Sequence, residues 1–295
     1  MDAAALPAPR RLSVPIENRW GAGQMSVMDF GDPNRPVDLV FAHANGFNAA
    51  TYRSLLAPLS GSLRIWAPDL RGHGQTRLPT RTTGRFNWHD HRDDLIALLA
   101  TLDGPPVVMA GHSMGGTSSL LAAARLRDRV SKLVLLDPVI WKRRTTLAFR
   151  LPILRGLPGR SPIVAGTLKR RSSFDSREQA LSAYRGRGAF KGWSDMMLSD
   201  YLSDGLVEGG KGLTLACTPQ WEASNYASHG HDTWRALKTF DRPIRILRAE
   251  TGSLSQIGPE PKLPHMQVET IPGAGHLFPM TRPDVARDAL FEATV

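Results

Sequence analysis

The run Ala110-Gly111-His112-Ser113-Met114-Gly115-Gly116 constrains this chain more than any other segment. It follows Pro106 to Ala110, a continuous apolar stretch of the kind buried on both faces of a parallel sheet. It precedes Thr117 to Arg127, rich in alanine and leucine, which reads as a helix. A serine with glycines two residues to either side, set between a strand and a helix, is the pattern of a sharp, strained turn that lifts the hydroxyl above a sheet. The glycines leave room where neighbouring backbones crowd. The helix N-terminus places N–H groups and the positive end of its dipole beneath the serine. The pattern demands a sheet with helices packed on it, and it makes Ser113 the candidate nucleophile.

The rest of the chain supplies that sheet. Asp38 to Ala42, Leu63 to Ala67, Val130 to Leu136, Ile244 to Leu247 and Met266 to Ile271 read as strands, and Arg11 to Ile16 and Met25 to Phe30 as antiparallel edge strands. Asp90 to Leu102 reads as a helix with Leu95, Leu98, Leu99 and Leu102 on one face, and Asp284 to Glu292 closes the chain as another. Strand and helix alternate as far as Asp137, as in an α/β sheet covered on both faces. Between Asp137 and Ile244 the alternation stops, with no clear strand and no repeat. Pro152, Gly156, Pro158, Gly159 and Pro162 break its early part, while Tyr184 to Leu202 and Ser224 to Leu237 read as helical. A structureless loop of that length does not fit a compact domain. Residues 138–240 are therefore expected to be a helical cap inserted into a core domain made of residues 1–137 and 241–295.

A serine hydroxyl needs a base at neutral pH. His276, in Pro272-Gly273-Ala274-Gly275-His276, follows a predicted strand in a glycine-bearing loop and comes last in chain order, as expected of such a site. Developing negative charge needs two donors. The first is expected to be the N–H of Met114, and the second to come from the loop His43-Ala44-Asn45-Gly46-Phe47.

These pieces together resemble α/β-hydrolase-fold serine hydrolases of the capped, esterase-like branch. The matching runs are His43 to Gly46, Asp69-Leu70-Arg71-Gly72-His73-Gly74, Gly111 to Gly116, Leu133 to Pro138 and Gly273 to His276. The resemblance implies that Asn45 donates the second oxyanion N–H, although Ala44 stands where the family commonly has glycine. It also implies that Asp69 to Gly74 is a turn feature with His73 structural. The family's commonest place for the acid is the loop after the strand at Ile244 to Leu247, where this chain reads Arg248-Ala249-Glu250-Thr251-Gly252-Ser253 and has no aspartate. Some branches place it at the end of the preceding strand, where Asp137 stands, 24 residues after Ser113. Asp137 is preferred, with Glu250 the alternative acid.

A serine nucleophile implies acyl transfer, and argues against the haloalkane dehalogenase and epoxide hydrolase chemistries that use an aspartate. The leading expectation is a carboxylic-ester hydrolase acting on a small-molecule acyl ester. A thioesterase or carbon–carbon bond hydrolase with the same triad is the alternative, and a non-catalytic binding protein of the same fold the reading from another class. No cofactor or metal is expected. Trp88-His89-Asp90-His91-Arg92-Asp93-Asp94 puts His89 and Asp93 on one helix face, but acids are favoured there by the dipole alone.

The net charge of +10 is concentrated: residues 139–240 hold 16 Lys/Arg against 8 Asp/Glu. No nucleic-acid-binding motif accompanies it, so the segment reads as a solvated basic face, with the option that arginines such as Arg143 and Arg144 favour an anionic ester. The aromatic and methionine residues of the cap, Trp141, Phe149, Phe174, Trp193, Met196, Met197, Trp221 and Tyr226, read mainly as cap core, with some lining an acyl pocket. His229 and His231 read as an exposed polar pair. A single cysteine, Cys217, excludes an intrachain disulfide. With no apolar run long enough for a transmembrane segment, a soluble cytoplasmic protein is expected.

Overall fold

A computed structural model of the chain describes residues 8–210, 212–258 and 263–295. Its centre is an eight-stranded sheet built from β1 (Arg10–Asn18), β2 (Gly21–Phe30), β3 (Leu39–Ala42), β4 (Ile65–Pro68), β5 (Val107–His112), β6 (Val130–Leu136), β10 (Ile244–Thr251) and β11 (Met266–Gly275). All eight strands expected from the sequence are present. Their order is β1-β2-β4-β3-β5-β6-β10-β11. Only β2 runs against its neighbours, pairing antiparallel with β1 and β4, and every other pair is parallel.

The central strands are largely apolar because both of their faces are buried. Leu39, Phe41, Val108, Ala110, Val134 and Leu136 point into one core, which also receives the Arg53–Leu56 and Pro283–Thr294 helices. Their neighbours Val40, Val107, Met109, Leu133 and Leu135 point into the other, beneath the His89–Ala100, Met114–Ala123 and Thr233–Thr239 helices. A two-residue side-chain period thus splits each strand between two layers. From β3 the chain moves to β4 on one side and to β5 on the other. Ligand sites of such sheets lie at this reversal, outside the carboxyl ends of the strands.

Between β6 and β10 the chain forms helices Arg143–Arg150, Pro162–Leu168, Arg177–Tyr184, Asp195–Gly205, Pro219–Tyr226 and Thr233–Thr239. It also forms a small antiparallel sheet of β7 (Ser173–Phe174), β8 (Leu206–Glu208) and β9 (Leu213–Leu215), where no strand was expected. Strands of two and three residues are too short to show alternation. The single helix expected over Tyr184 to Leu202 is interrupted, with Gly186, Gly188 and Gly192 all at positive φ. That expected over Ser224 to Leu237 is two helices, capped by Thr218 and Asp232. The break between them carries His229 and His231, which are buried rather than exposed. His231 stacks on Trp88 at 4.6 Å and His229 meets the same ring edge-on at 5.2 Å. Burying the faces of these rings against Trp88 outweighs the polarity that suggested exposure.

Candidate active site

Ser113 sits between β5 and the Met114–Ala123 helix with φ 54° and ψ −118°. Asp137, immediately after β6, has φ 41°. Among the described residues these are the only non-glycine residues at positive φ. Such backbone costs of order 1–3 kcal/mol for each residue and persists only where the surroundings impose it. Here the Ser113 N–H is held by the Leu136 carbonyl and the Asp137 N–H by that of Leu247, so neighbouring strands fix both turns.

The glycines of the serine turn are required by space. A Cβ on Gly115 would fall on the carbonyl oxygens of Ala42 and His43, and one on Gly111 would lie 2.6 Å from the Gly115 carbonyl carbon. Gly115→Ala is therefore expected to cost more than about 3 kcal/mol, read as a lowered urea midpoint. Gly156→Ala, whose Cβ meets nothing within 4 Å, is the control and is expected to stay within about 0.5 kcal/mol.

The structure brings Ser113, His276 and Asp137 into one line. Ser113 Oγ lies 3.1 Å from His276 Nε2, and His276 Nδ1 donates to Asp137 Oδ2 at 2.5 Å. The Asp137 carboxylate also accepts the Ala249 N–H, the Ser253 hydroxyl and the Leu254 N–H. Burial pushes this carboxyl up, but the bonds from His276, Ser253 and Ala249 outweigh it and hold it below the ordinary carboxylate value. Glu250 is not brought to the histidine. It lies exposed within β10 and accepts the Gly273 N–H at 2.9 Å.

Asn45 and Met114 line one cavity with Ser113. Neither of their N–H groups has an acceptor among the described residues, whereas the amides on either side of Asn45 are engaged. The Ala44 N–H donates to Tyr52 Oη, the Gly46 N–H to His73 Nε2 and the Phe47 N–H to the Ala44 carbonyl. The Asn45 side chain is tied to the insertion, through the Glu222 carbonyl and the Asn225 amide. Ala44 needs no glycine, since its φ is not positive. His73 supports this loop: its Nδ1 donates to the Arg71 carbonyl, which leaves Nε2 as an acceptor.

A positioning chain that the sequence does not reveal runs beneath these groups. The Tyr52 hydroxyl donates to His112 Nδ1 at 2.7 Å, and His112 Nε2 donates to the His276 carbonyl at 2.9 Å. Burial and the adjacent His276 push His112 down to about 3, so its ring is neutral and its donor and acceptor are fixed. Ser253 was likewise missed as a partner of Asp137, because it is separated from it by 116 positions in sequence.

The cavity holds about 320 Å³ and is walled by Trp88, Val139, Trp141, Phe149, Tyr226 and Leu254 among others, with no Lys, Arg, Asp or Glu among the described residues of its lining. Burial pushes His229, in the same wall, down to about 4. Trp141, Phe149 and Tyr226 are thus pocket residues, while Phe174 and Trp221 are buried in packing and Met196 is exposed. Arg143 and Arg144 are exposed outside it. His89 and Asp93 do not combine. The Asp93 carboxylate is occupied by Arg19, Trp20 and Arg92. Cys217 is buried, which pushes its thiol up.

Residues 39–289 match the model of the alpha/beta hydrolase family. The chain is 25% identical to the 2-(acetamidomethylene)succinate hydrolase of Mesorhizobium japonicum over 85% of this chain and 86% of that protein. It is 36% identical to the magnesium-chelatase 30 kDa subunit of Rhodobacter capsulatus over 125 residues, 42% of this chain and 43% of the relative, so the match spans less than half of that protein. The solved structure of E-2-(acetamidomethylene)succinate hydrolase superposes with a TM-score of 0.73 at 23% identity, covering 96% of this chain and 98% of that one, a likeness of fold. No helix of the described residues is long and apolar enough to cross a membrane.

Proposed function

The chain belongs to the alpha/beta hydrolase family, and on that premise we propose that it is a serine hydrolase cleaving an uncharged carboxylic ester through an acyl-enzyme. The observation that carries this reading is the Ser113–His276–Asp137 alignment, opening into an apolar cavity beside two free N–H groups. Ser113 Oγ attacks the ester carbonyl while His276 Nε2 takes its proton. The carbonyl oxygen, now negative, is held by the N–H groups of Asn45 and Met114. Collapse breaks the carbon–oxygen bond, and His276 returns the proton to the departing alcohol. Water, deprotonated by His276, then releases the acid and regenerates Ser113. Asp137 keeps the His276 proton on Nδ1 and stabilises the imidazolium.

An anionic substrate is not favoured, because among the described residues the basic side chains of the insertion lie outside the lining and the lining has no Lys or Arg. The residues inserted between β6 and β10 act as a cap, closing the cavity with Trp141, Phe149 and Tyr226. A buried lone cysteine suits a reducing, cytoplasmic setting.

The test is labelling with a fluorophosphonate, alongside turnover of p-nitrophenyl esters of graded acyl length. A stoichiometric adduct is expected on the peptide carrying Ser113, together with turnover of the uncharged esters. Faster cleavage of acyl thioesters than of matched oxygen esters would move the activity to thioester hydrolysis. Absence of both adduct and turnover would favour a non-catalytic binding protein.

A further inference from the structure

Six of the eleven large apolar side chains exposed among the described residues fall in one stretch of the insertion: Leu147, Leu151, Ile153, Leu157, Ile163 and Leu168. Ile153 is 92% exposed. The same stretch, residues 142–171, carries nine Lys and Arg and no Asp or Glu. Among the described residues, only Arg150 and Arg170 of these nine have a carboxylate partner. Local chemistry does not account for this combination. Exposed aliphatic groups are unfavourable in water, and the seven cations without an ion pair repel one another, although Arg155 and Arg171 stack on Phe86 and Phe174.

The face is also continuous with the cavity. Leu157 and Ile163, each about half exposed, line the pocket that contains Ser113. These two of the six exposed aliphatic side chains therefore stand at its mouth. In the Arg143–Arg150 helix, Arg143, Leu147 and Arg150 recur at spacings of four and three and so share one helix face.

We propose that this face of the insertion docks on an anionic phospholipid surface. Single aliphatic side chains interleaved with cations are the composition of a segment lying at the headgroup boundary, with apolar groups among the acyl chains and cations against the phosphates. A protein partner would instead be expected to meet a contiguous packed core with aromatic residues. Resting on the ester-hydrolase reading, the docked orientation would present the cavity mouth to acyl esters dissolved in the lipid. The docking itself does not depend on that reading.

Flotation of the full chain with vesicles tests it. Binding is expected to vesicles of phosphatidylcholine mixed with phosphatidylglycerol, and not to phosphatidylcholine alone, and it should weaken with added salt. The double substitutions Leu151→Ser with Ile153→Ser, and Arg155→Gln with Arg160→Gln, should each weaken partitioning by roughly tenfold or more. All four sites are exposed and outside the cavity lining, so turnover of a short water-soluble ester should be unchanged by them. No binding at low salt, or binding indifferent to both double substitutions, would overturn the proposal. So would a dimer in light scattering that is dissolved by Ile153→Ser, or retention on polyglutamate without vesicle binding. Because flotation reads no catalysis, a failed ester assay would leave the docking result standing.

Discussion

Asp137→Asn is expected to lower kcat by roughly 10³–10⁴-fold, while Glu250→Gln changes it by less than about threefold. Asp137 bonds His276 Nδ1 directly and is otherwise surrounded by donors, the Ala249 and Leu254 N–H groups and the Ser253 hydroxyl. An asparagine there must turn an N–H group toward one of them, or else present the wrong partner to the ring and favour the tautomer with its proton on Nε2. That tautomer cannot accept the Ser113 proton. Ser253→Ala provides a graded comparison. It removes one donor to the carboxylate and should cost far less than Asp137→Asn. Steady-state kinetics on a p-nitrophenyl ester checks the ranking, and urea midpoints separate lost chemistry from lost folding. Equal losses in Asp137→Asn and Glu250→Gln would overturn the assignment of the acid.

The second large effect is loss of stability in acid. Taking the protein from about pH 7.5 to about pH 5.5 is expected to remove several kcal/mol of folding free energy. His43, His73, His91, His112, His229 and His231 are all buried, and burial is the largest cause depressing each of their pKa values. His43, His91 and His112 are pushed down to about 3 and His229 to about 4. In the unfolded chain these rings take up protons below about pH 6.5. The folded protein leaves them neutral until well below that. Across the window the unfolded state binds more protons, so stability falls as pH falls, by up to about 1.4 kcal/mol per pH unit for each ring.

Against a typical folding stability of about 5–15 kcal/mol, six such rings dominate. Asp69, pushed up to about 6 by burial and the adjacent Asp204, works in the opposite direction. Asp94 and Asp200, also raised by burial, act the same way, but three carboxyls do not reverse six imidazoles. Urea unfolding followed at several pH values checks the slope, which His91→Gln should reduce by about one proton. A stability flat between pH 7.5 and about 5.5 would count against this account.

Much of this was legible in the chain, for a physical reason. The central strands, buried on both faces, leave continuous apolar runs, and the edge strands betray themselves by alternation, so all eight strands of the main sheet could be located to within a few residues. The serine turn is equally visible, because its glycines stand at fixed spacings around Ser113, where crowding by adjacent backbone leaves no room for a Cβ. The acid was harder. Asp137 and Glu250 both stand near strand ends, and only the pairing of β6 with β10 separates one that meets His276 from one that holds Gly273. The insertion was least legible. Its strands are too short for periodicity, and its two buried histidines look polar until Trp88, more than a hundred residues earlier, is set against them. Tyr52 reaches His112 across 60 positions, a relation that local pattern does not encode.

The left-handed turns at Ser113 and Asp137 carry a consequence for how the molecule matures. Neither conformation is one that a free chain holds, and each is imposed by a neighbouring strand: β6 for Ser113 and β10 for Asp137. β10 is made only after the whole insertion has been synthesised. On the proposed mechanism, a nascent chain therefore carries an ordinary, unreactive serine until β10 and β11, within residues 244–275, have joined the sheet. Reactivity toward a phosphonate is consequently a stricter gauge of completed folding than helix content, because it registers the final strand rather than the first helices.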